Sequence, residues 1–332
     1  MKKTILKAAI ATALIVPTMV MAEATLYGNV HVSINDFDTA SDLDMTSNTS
    51  SIGVKGSEDL GDGMKALYKA EFQLDPAEGG FTGGNASNTA STTNGNALTS
   101  RDMWVGLKGG MGTLKLGTMS SNYKQMGGKV DPLYRTRLEG RGFLGTQSSD
   151  LHGGRGIDRG RQTNTVQYSS PKMGGIQLVA NTTVSGAADE TNGVGVRYAT
   201  NDLMAYLDWI DNSASGDAVK VGGKFSAKAF AVGLQYEMTE NATNDEADYL
   251  FLSGQFNIDK NNAIILTAGQ ASFTDAAGNE ADTTGVAVAY NHKLSKMTNV
   301  YVGYGDRTDD DIVGGVNGGD ESLFTAGIKK KF

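Results

Sequence analysis

Cysteine is absent from the 332-residue chain. That excludes disulfide frameworks, Cys-ligated zinc, iron–sulfur clusters and thiol catalysis. Histidine is confined to His31, His152 and His292, too few for a His-rich metal site. Only four prolines occur, which excludes collagen-like and Pro-rich disordered chains. Beyond the N-terminus no apolar run approaches the ~18 residues of a membrane helix, and mean hydropathy is −0.28. Glycine is what abounds, at 44 residues or about 13% against a usual ~7%. Excess glycine with little proline and no cysteine points to a large β-protein with many turns.

The first 22 residues read differently. Lys2, Lys3 and Lys7 precede an apolar stretch at 8–21, and Val20-Met21-Ala22 ends it with a small-residue cleavage pattern. Residues 1–22 are expected to be a secretory signal peptide, leaving one domain over 23–332. The alternative, an N-terminal anchor helix, needs ~20 apolar residues, more than this run supplies. Removing the leader takes away three lysines and no acid, so 26 cations then face 37 acids. An acidic exported chain is a poor nucleic-acid binder, and no nucleic-acid partner is expected.

The remainder repeats a period of two. Over 64–75, Met64, Ala66, Tyr68, Ala70, Phe72 and Leu74 share one parity, whereas Lys65, Lys69, Glu71 and Gln73 share the other. Residues 25–35, 229–238 and 283–291 alternate in the same way, as strands with one greasy and one wet face do. No segment of comparable length favours the helical period. Short turns (58–63, 109–112, 170–175, 200–202, 226–228, 257–261, 293–297) alternate with longer polar connections, the largest at 36–48, 76–98, 122–161 and 306–320. Sixteen strands are predicted between them: 24–35, 49–57, 64–75, 99–108, 113–121, 162–169, 176–184, 193–199, 203–211, 218–225, 229–238, 248–256, 262–270, 282–292, 298–305 and 321–332. Alternating short and long connections make successive strands up-and-down neighbours.

A soluble β-sandwich and a transmembrane antiparallel β-barrel both accommodate this pattern. The sandwich needs charge on its outer face. Here the wet faces carry mostly Gly, Ser, Thr, Asn and Gln, as the wall of a water-filled lumen does. Aromatic residues near strand ends (Tyr27, Tyr168, Tyr198, Trp209, Tyr290, Tyr304, Phe332) suit interfacial girdles. An even strand number also suits a bacterial barrel. The fold expected is all-β, a sixteen-stranded barrel with short periplasmic turns and long extracellular loops.

Ala24-Thr25-Leu26-Tyr27-Gly28, the stretch from Ser51 to Gly63 (SIGVKGSEDLGDG), the stretch from Ser100 to Gly112 (SRDMWVGLKGGMG) and the terminal Gly327-Ile328-Lys329-Lys330-Lys331-Phe332 together resemble the general porins of the Gram-negative outer membrane, especially the neisserial and betaproteobacterial type. The resemblance implies a homotrimer with one pore per subunit, passive diffusion of small hydrophilic solutes and ions, and a third long loop folded into the lumen. It also implies contact with outer-membrane lipid and lipopolysaccharide, and an assembly signal at Phe332 read by the outer-membrane assembly machinery. The cell outer membrane is the location expected. The chain departs from the pattern in its Lys-rich residues before the terminal Phe and in a Gly/Arg-rich third loop.

That loop, 122–161, is the candidate working site, because connections of ~40 residues are usually functional or disordered. It holds Lys124, Lys129, Arg135, Arg137, Arg141, Arg155, Arg159 and Arg161 against Asp131, Glu139, Asp150 and Asp158. The loop is thus basic within an acidic chain. Charges lining a narrow opening filter ions by sign, which predicts a mild anion preference. Lys55, Lys65, Lys69 and Arg197 lie on wet-face parity and add to that field. Arg101 shares the parity of Met103 and Val105 unless a bulge intervenes. No catalytic signature occurs, neither a Gly-x-Ser-x-Gly elbow nor His-Glu-x-x-His, so no enzyme activity, cofactor or metal is expected. A substrate-specific channel on the same barrel remains open beside the general porin. A barrel enzyme lacks an evident nucleophile–base pair, and a secreted adhesin would be soluble without detergent.

Overall fold

The computed structural model describes residues 23–78, 99–148, 151, 160–184, 190–212, 216–310 and 319–332. The expected leader, 1–22, lies outside them. The strands are β1 (Glu23–Phe37), β2 (Asp44–Ser47), β3 (Ser51–Gly61), β4 (Met64–Gln73), β5 (Ser100–Gly109), β6 (Gly112–Ser120), β7 (Arg161–Ser169), β8 (Ile176–Thr183), β9 (Thr191–Ala199), β10 (Leu203–Asn212), β11 (Gly216–Ser226), β12 (Phe230–Glu240), β13 (Glu246–Asn257), β14 (Asn262–Thr274), β15 (Glu280–Lys293), β16 (Thr298–Asp309) and β17 (Glu321–Lys331). A single described helix, α1 (Asn122–Val130), follows β6. From β3 onward each strand pairs antiparallel with the next, and β17 returns to β1. The result is a closed sixteen-stranded barrel, as the period of two predicted.

β2 is not a seventeenth span. On β1, Asn29 pairs with Ser51 and Val32 with Ser47. Two β1 residues therefore face the three residues 48–50, and Thr49 takes a φ of 57°. β2 and β3 are one strand broken by a bulge, so the predicted loop 36–48 is shorter than it looked.

The outward face is apolar from strand to strand. Val30 and Ile34 on β1, Leu207 on β10, Leu234 on β12, Leu266 on β14, Val288 on β15 and Phe324 on β17 are all exposed. Tyr168, Tyr198, Trp209, Tyr290 and Phe332 face outward with them near strand ends, positions suited to a lipid interface, while Tyr304 faces outward from the middle of β16. Tyr27 does not. It faces the lumen, where its hydroxyl donates to Glu71 at 2.8 Å and Lys55 lies 4.9 Å from its ring centroid. Its parity always opposed Leu26 and Val30; proximity to a strand end alone suggested the girdle.

Closure is made by backbone. The Gly28 amide donates to the Phe332 carbonyl at 3.0 Å, and the Phe332 amide to the Gly28 carbonyl at 3.1 Å. Gly28 is required here because an added Cβ would fall 2.5 Å from the Phe332 ring. Unpaired backbone in lipid costs several kcal/mol per group. Deleting Phe332 is therefore expected to lower severalfold the yield of heat-modifiable barrel when unfolded chain is refolded into detergent. Wild-type yield from the deletion would show that the last pair is dispensable.

The core is inside out relative to a soluble protein. All three buried apolar clusters form where the chain after β6 packs on the inner wall. Tyr123 and Leu151 meet Ile210 and Ala218, and Met126 and Val130 meet Tyr206 and Phe251. Leu133, Leu138, Phe143 and Leu144 meet Ile265, Ala287, Ala289 and Leu323. Each large side chain so buried stabilises the docked loop by roughly 1.5–3 kcal/mol.

Candidate functional site

The third long loop leaves β6 and enters the lumen. Ser121 caps α1 by accepting from the Lys124 amide at 3.1 Å, an ordinary serine N-cap. The helix carries Gly127-Gly128, poor helix formers, so packing rather than propensity holds it. No period of 3.6 announced it.

Polar ties fix the helix to the wall. The Asn122 backbone amide donates to the Asn181 side-chain oxygen at 2.8 Å, and the Asn122 side-chain amide donates to Asp208 at 3.0 Å. The Tyr123 hydroxyl donates to Glu237 at 2.9 Å. Lys220, fully buried, donates to the Tyr123 carbonyl and lies under its ring. Arg197 donates to Gln125 at 2.9 Å and to the Asn122 carbonyl at 3.1 Å. Arg197 thus anchors the helix, a more specific job than adding to the lumenal field.

After the helix, Asp131 accepts from the Leu133 amide at 2.8 Å and the Gly140 amide at 2.9 Å. Burial pushes its carboxyl up to about 7, Glu139 adds to the rise, and the amide donors oppose it. Glu139 accepts from the Arg135 amide at 2.7 Å and bridges Arg141 at 2.9 Å. These two acids brace the loop from within. Arg141 also lies 5.1 Å from the Tyr134 ring centroid, and Arg137 lies 5.1 Å from that of Phe37. Arg155, Arg159, Asp150 and Asp158 lie outside the described residues.

Between the loop and the β4–β7 wall is an opening of about 370 Å³. The loop lines it with Lys124, Lys129, Tyr134 and Arg135, and the wall with Lys69, Asp102, Trp104, Lys115 and Gln167. Among the described residues, five cationic side chains face one acid. Burial, with Arg161 and Arg141 nearby, pulls Lys124 well below the ordinary lysine range. Lys115 lies 4.6 Å from the Trp104 ring centroid and Arg135 5.5 Å from that of Tyr134.

That same wall is zipped by a chain of ion pairs. Arg101 bridges Glu71 at 2.6 Å, Lys69 contacts Glu71 at 3.1 Å and Asp102 at 2.8 Å, and Arg161 meets Asp102 at 2.9 Å. A bulge makes this possible. Ala70 pairs with Met103 and Phe72 with Ser100, so Glu71 alone faces both Arg101 and Asp102. A second irregularity, with Gly117 opposite Thr165 and Met119 opposite Gln162, precedes Arg161 on β7. Bulges re-aim side chains in this way, and the first resolves the parity of Arg101 in favour of the lumen.

Of the basic residues expected at the working site, Lys69, Lys124, Lys129 and Arg135 line the opening. Arg161 lies behind it, paired with Asp102. Lys55 sits over Tyr27, and Lys65, exposed, pairs across from Lys108 near the short-turn end. Sequence reasoning missed Lys115, Trp104 and Asp102. Lys115 was findable, because Leu114 and Leu116 on either side face outward.

A closed barrel with an apolar exterior and an internal loop docked on its inner wall is a transmembrane β-barrel of the porin class. The chain matches the Gram-negative porin family over residues 8–312 and belongs to it. It is 26% identical to the major outer membrane protein P.IB of Neisseria gonorrhoeae, over 62% of this chain and 56% of that protein. With P.IB of Neisseria meningitidis serogroup B it shares 24% identity over 90% of this chain and 80% of that one. With an outer membrane porin protein of Bordetella pertussis it shares 29% identity over 74% of this chain and 62% of that one. The chain thus spans less than two thirds of some of these relatives. Among solved structures, the anion-selective porin from Comamonas acidovorans superposes with a TM-score of 0.75 at 20% identity, covering 94% of this chain and all of that one. Salmonella typhi OmpF in complex with daunomycin gives 0.71 at 15%, covering 94% and 98%. The outer membrane is the location these relatives define.

Proposed function

We propose that the protein is a general diffusion porin, a water-filled channel for small hydrophilic solutes and ions with a mild preference for anions. The observation that carries this is the opening, where, among the described residues, five cationic side chains face the one acid Asp102. Exposed acids such as Asp202 and Asp259 lie in bulk electrolyte, screened over ~8 Å. The similarity to a porin described as anion-selective agrees in direction.

Assembly as a homotrimer fits a neighbour solved in trimer form. The apolar band meets outer-membrane lipid and lipopolysaccharide. Phe332 serves as the assembly signal read by the outer-membrane machinery, and residues 1–22 direct export. The constriction set is Lys69, Lys115, Lys129 and Arg135, with Arg141 and Arg161 behind it. A specific channel would saturate with its solute. Purified protein in liposomes is expected to admit neutral sugars at rates that fall with size and do not saturate. Impermeable liposomes, or rates saturating with one solute, would refute general diffusion.

A further inference from the structure

Asp102 is the one acid at the opening among the described residues. It is there because of the β5 bulge, which sets Arg101 and Asp102 together opposite Glu71. Regular alternation would turn one of the two out toward lipid. Its two oxygens are engaged separately, Oδ2 by Lys69 at 2.8 Å and Oδ1 by Arg161 at 2.9 Å. Its side chain stays 17% exposed, so its charge is felt in the opening as well as by its partners. Glu71, the other acid of the chain of pairs, is turned away behind Lys69 and Arg101 and does not line the opening.

We infer that Asp102 is a specificity-determining residue that keeps the anion preference mild. Rested on the anion-preferring reading above, the assignment adds what limits it. The carboxylate cancels one positive charge where ions pass closest to the wall and lowers the barrier for cations. In the narrow opening, one unit of charge within ~5 Å changes permeation severalfold even at water-like dielectric.

The test is the zero-current potential of single channels in a potassium chloride gradient, converted to an anion-to-cation permeability ratio. Asp102→Asn is expected to raise the ratio about two- to fourfold over wild type. Asp102→Glu, which restores the charge, should return most of it. Asp202→Asn, which removes an exposed acid from the short β9–β10 turn, should leave the ratio unchanged. Assembly is checked by heat-modifiability, and Asp102→Ser replaces Asp102→Asn where the latter does not assemble. A ratio at the wild-type value in the assembled neutral variants overturns the assignment. So does an equal rise in Asp202→Asn, since net charge rather than position would then govern. A cation-selective wild type would instead refute the anion-preferring reading, while the variant is still scored against whatever ratio wild type shows.

Discussion

Replacing Lys115 and Arg135 with glutamate is expected to turn the channel from anion-preferring to cation-selective. Both residues line the opening, one on β6 and one on the loop, and the double change moves four units of charge. Neither is locked into the ion-pair chain of Arg101, Glu71, Lys69, Asp102 and Arg161, so the wall keeps its packing. At ~5 Å each unit is worth most of a kcal/mol in a water-like medium. The permeability ratio should therefore fall by an order of magnitude or more, and the zero-current potential should change sign. An unchanged sign in assembled channels would show that ions are filtered elsewhere, at the mouths or at residues beyond the opening.

The second large effect concerns what holds the loop. Lys220→Met is expected to loosen it, raising single-channel conductance and noise and exposing the backbone around 122–148 to protease. Lys220 is fully buried beneath α1 and faces Glu237 and Asp208. Removing a buried cation strands its acids, and such losses typically cost ~3–5 kcal/mol. The barrel itself should persist, because its ladders do not pass through the loop. Adding Glu237→Gln removes one stranded charge and should restore part of the protease resistance. Wild-type conductance and resistance in Lys220→Met would mean that the apolar contacts of Val130, Leu138 and Leu144 hold the loop unaided.

Much of this fold was legible because lipid and water enforce a strict period of two. Strand number, parity, the short turns and the closing role of the last strand all follow from it. Residues 48–50 escaped because a polar bulge in a strand looks like the end of a loop. α1 escaped because a glycine pair and a loop-like composition hide a helix that packing maintains. The inner-wall docking surface did leave a trace. Ile210, Phe251, Ile265 and Leu323 are large apolar residues on the wet parity, which a lumen open to water would not favour. The site was less legible. Basic residues of the third loop could be counted, but their pairing could not, since Asp131 and Glu139 turn into the loop while Asp102 and Glu71 come from the wall. The pairing of Arg101, Asp102 and Arg161 depends on two bulges, and a single extra residue leaves no mark in alternation that can be read before register is known.

The central claim is that local charge at the opening outweighs the acidic character of the whole chain. The zero-current potential of the wild-type channel in a potassium chloride gradient tests it most directly. The account predicts a potential of the sign set by chloride passing more readily than potassium, by a modest factor. A potential of the opposite sign would contradict it, placing control with the acidic balance of the whole chain rather than with Lys69, Lys115, Lys129 and Arg135.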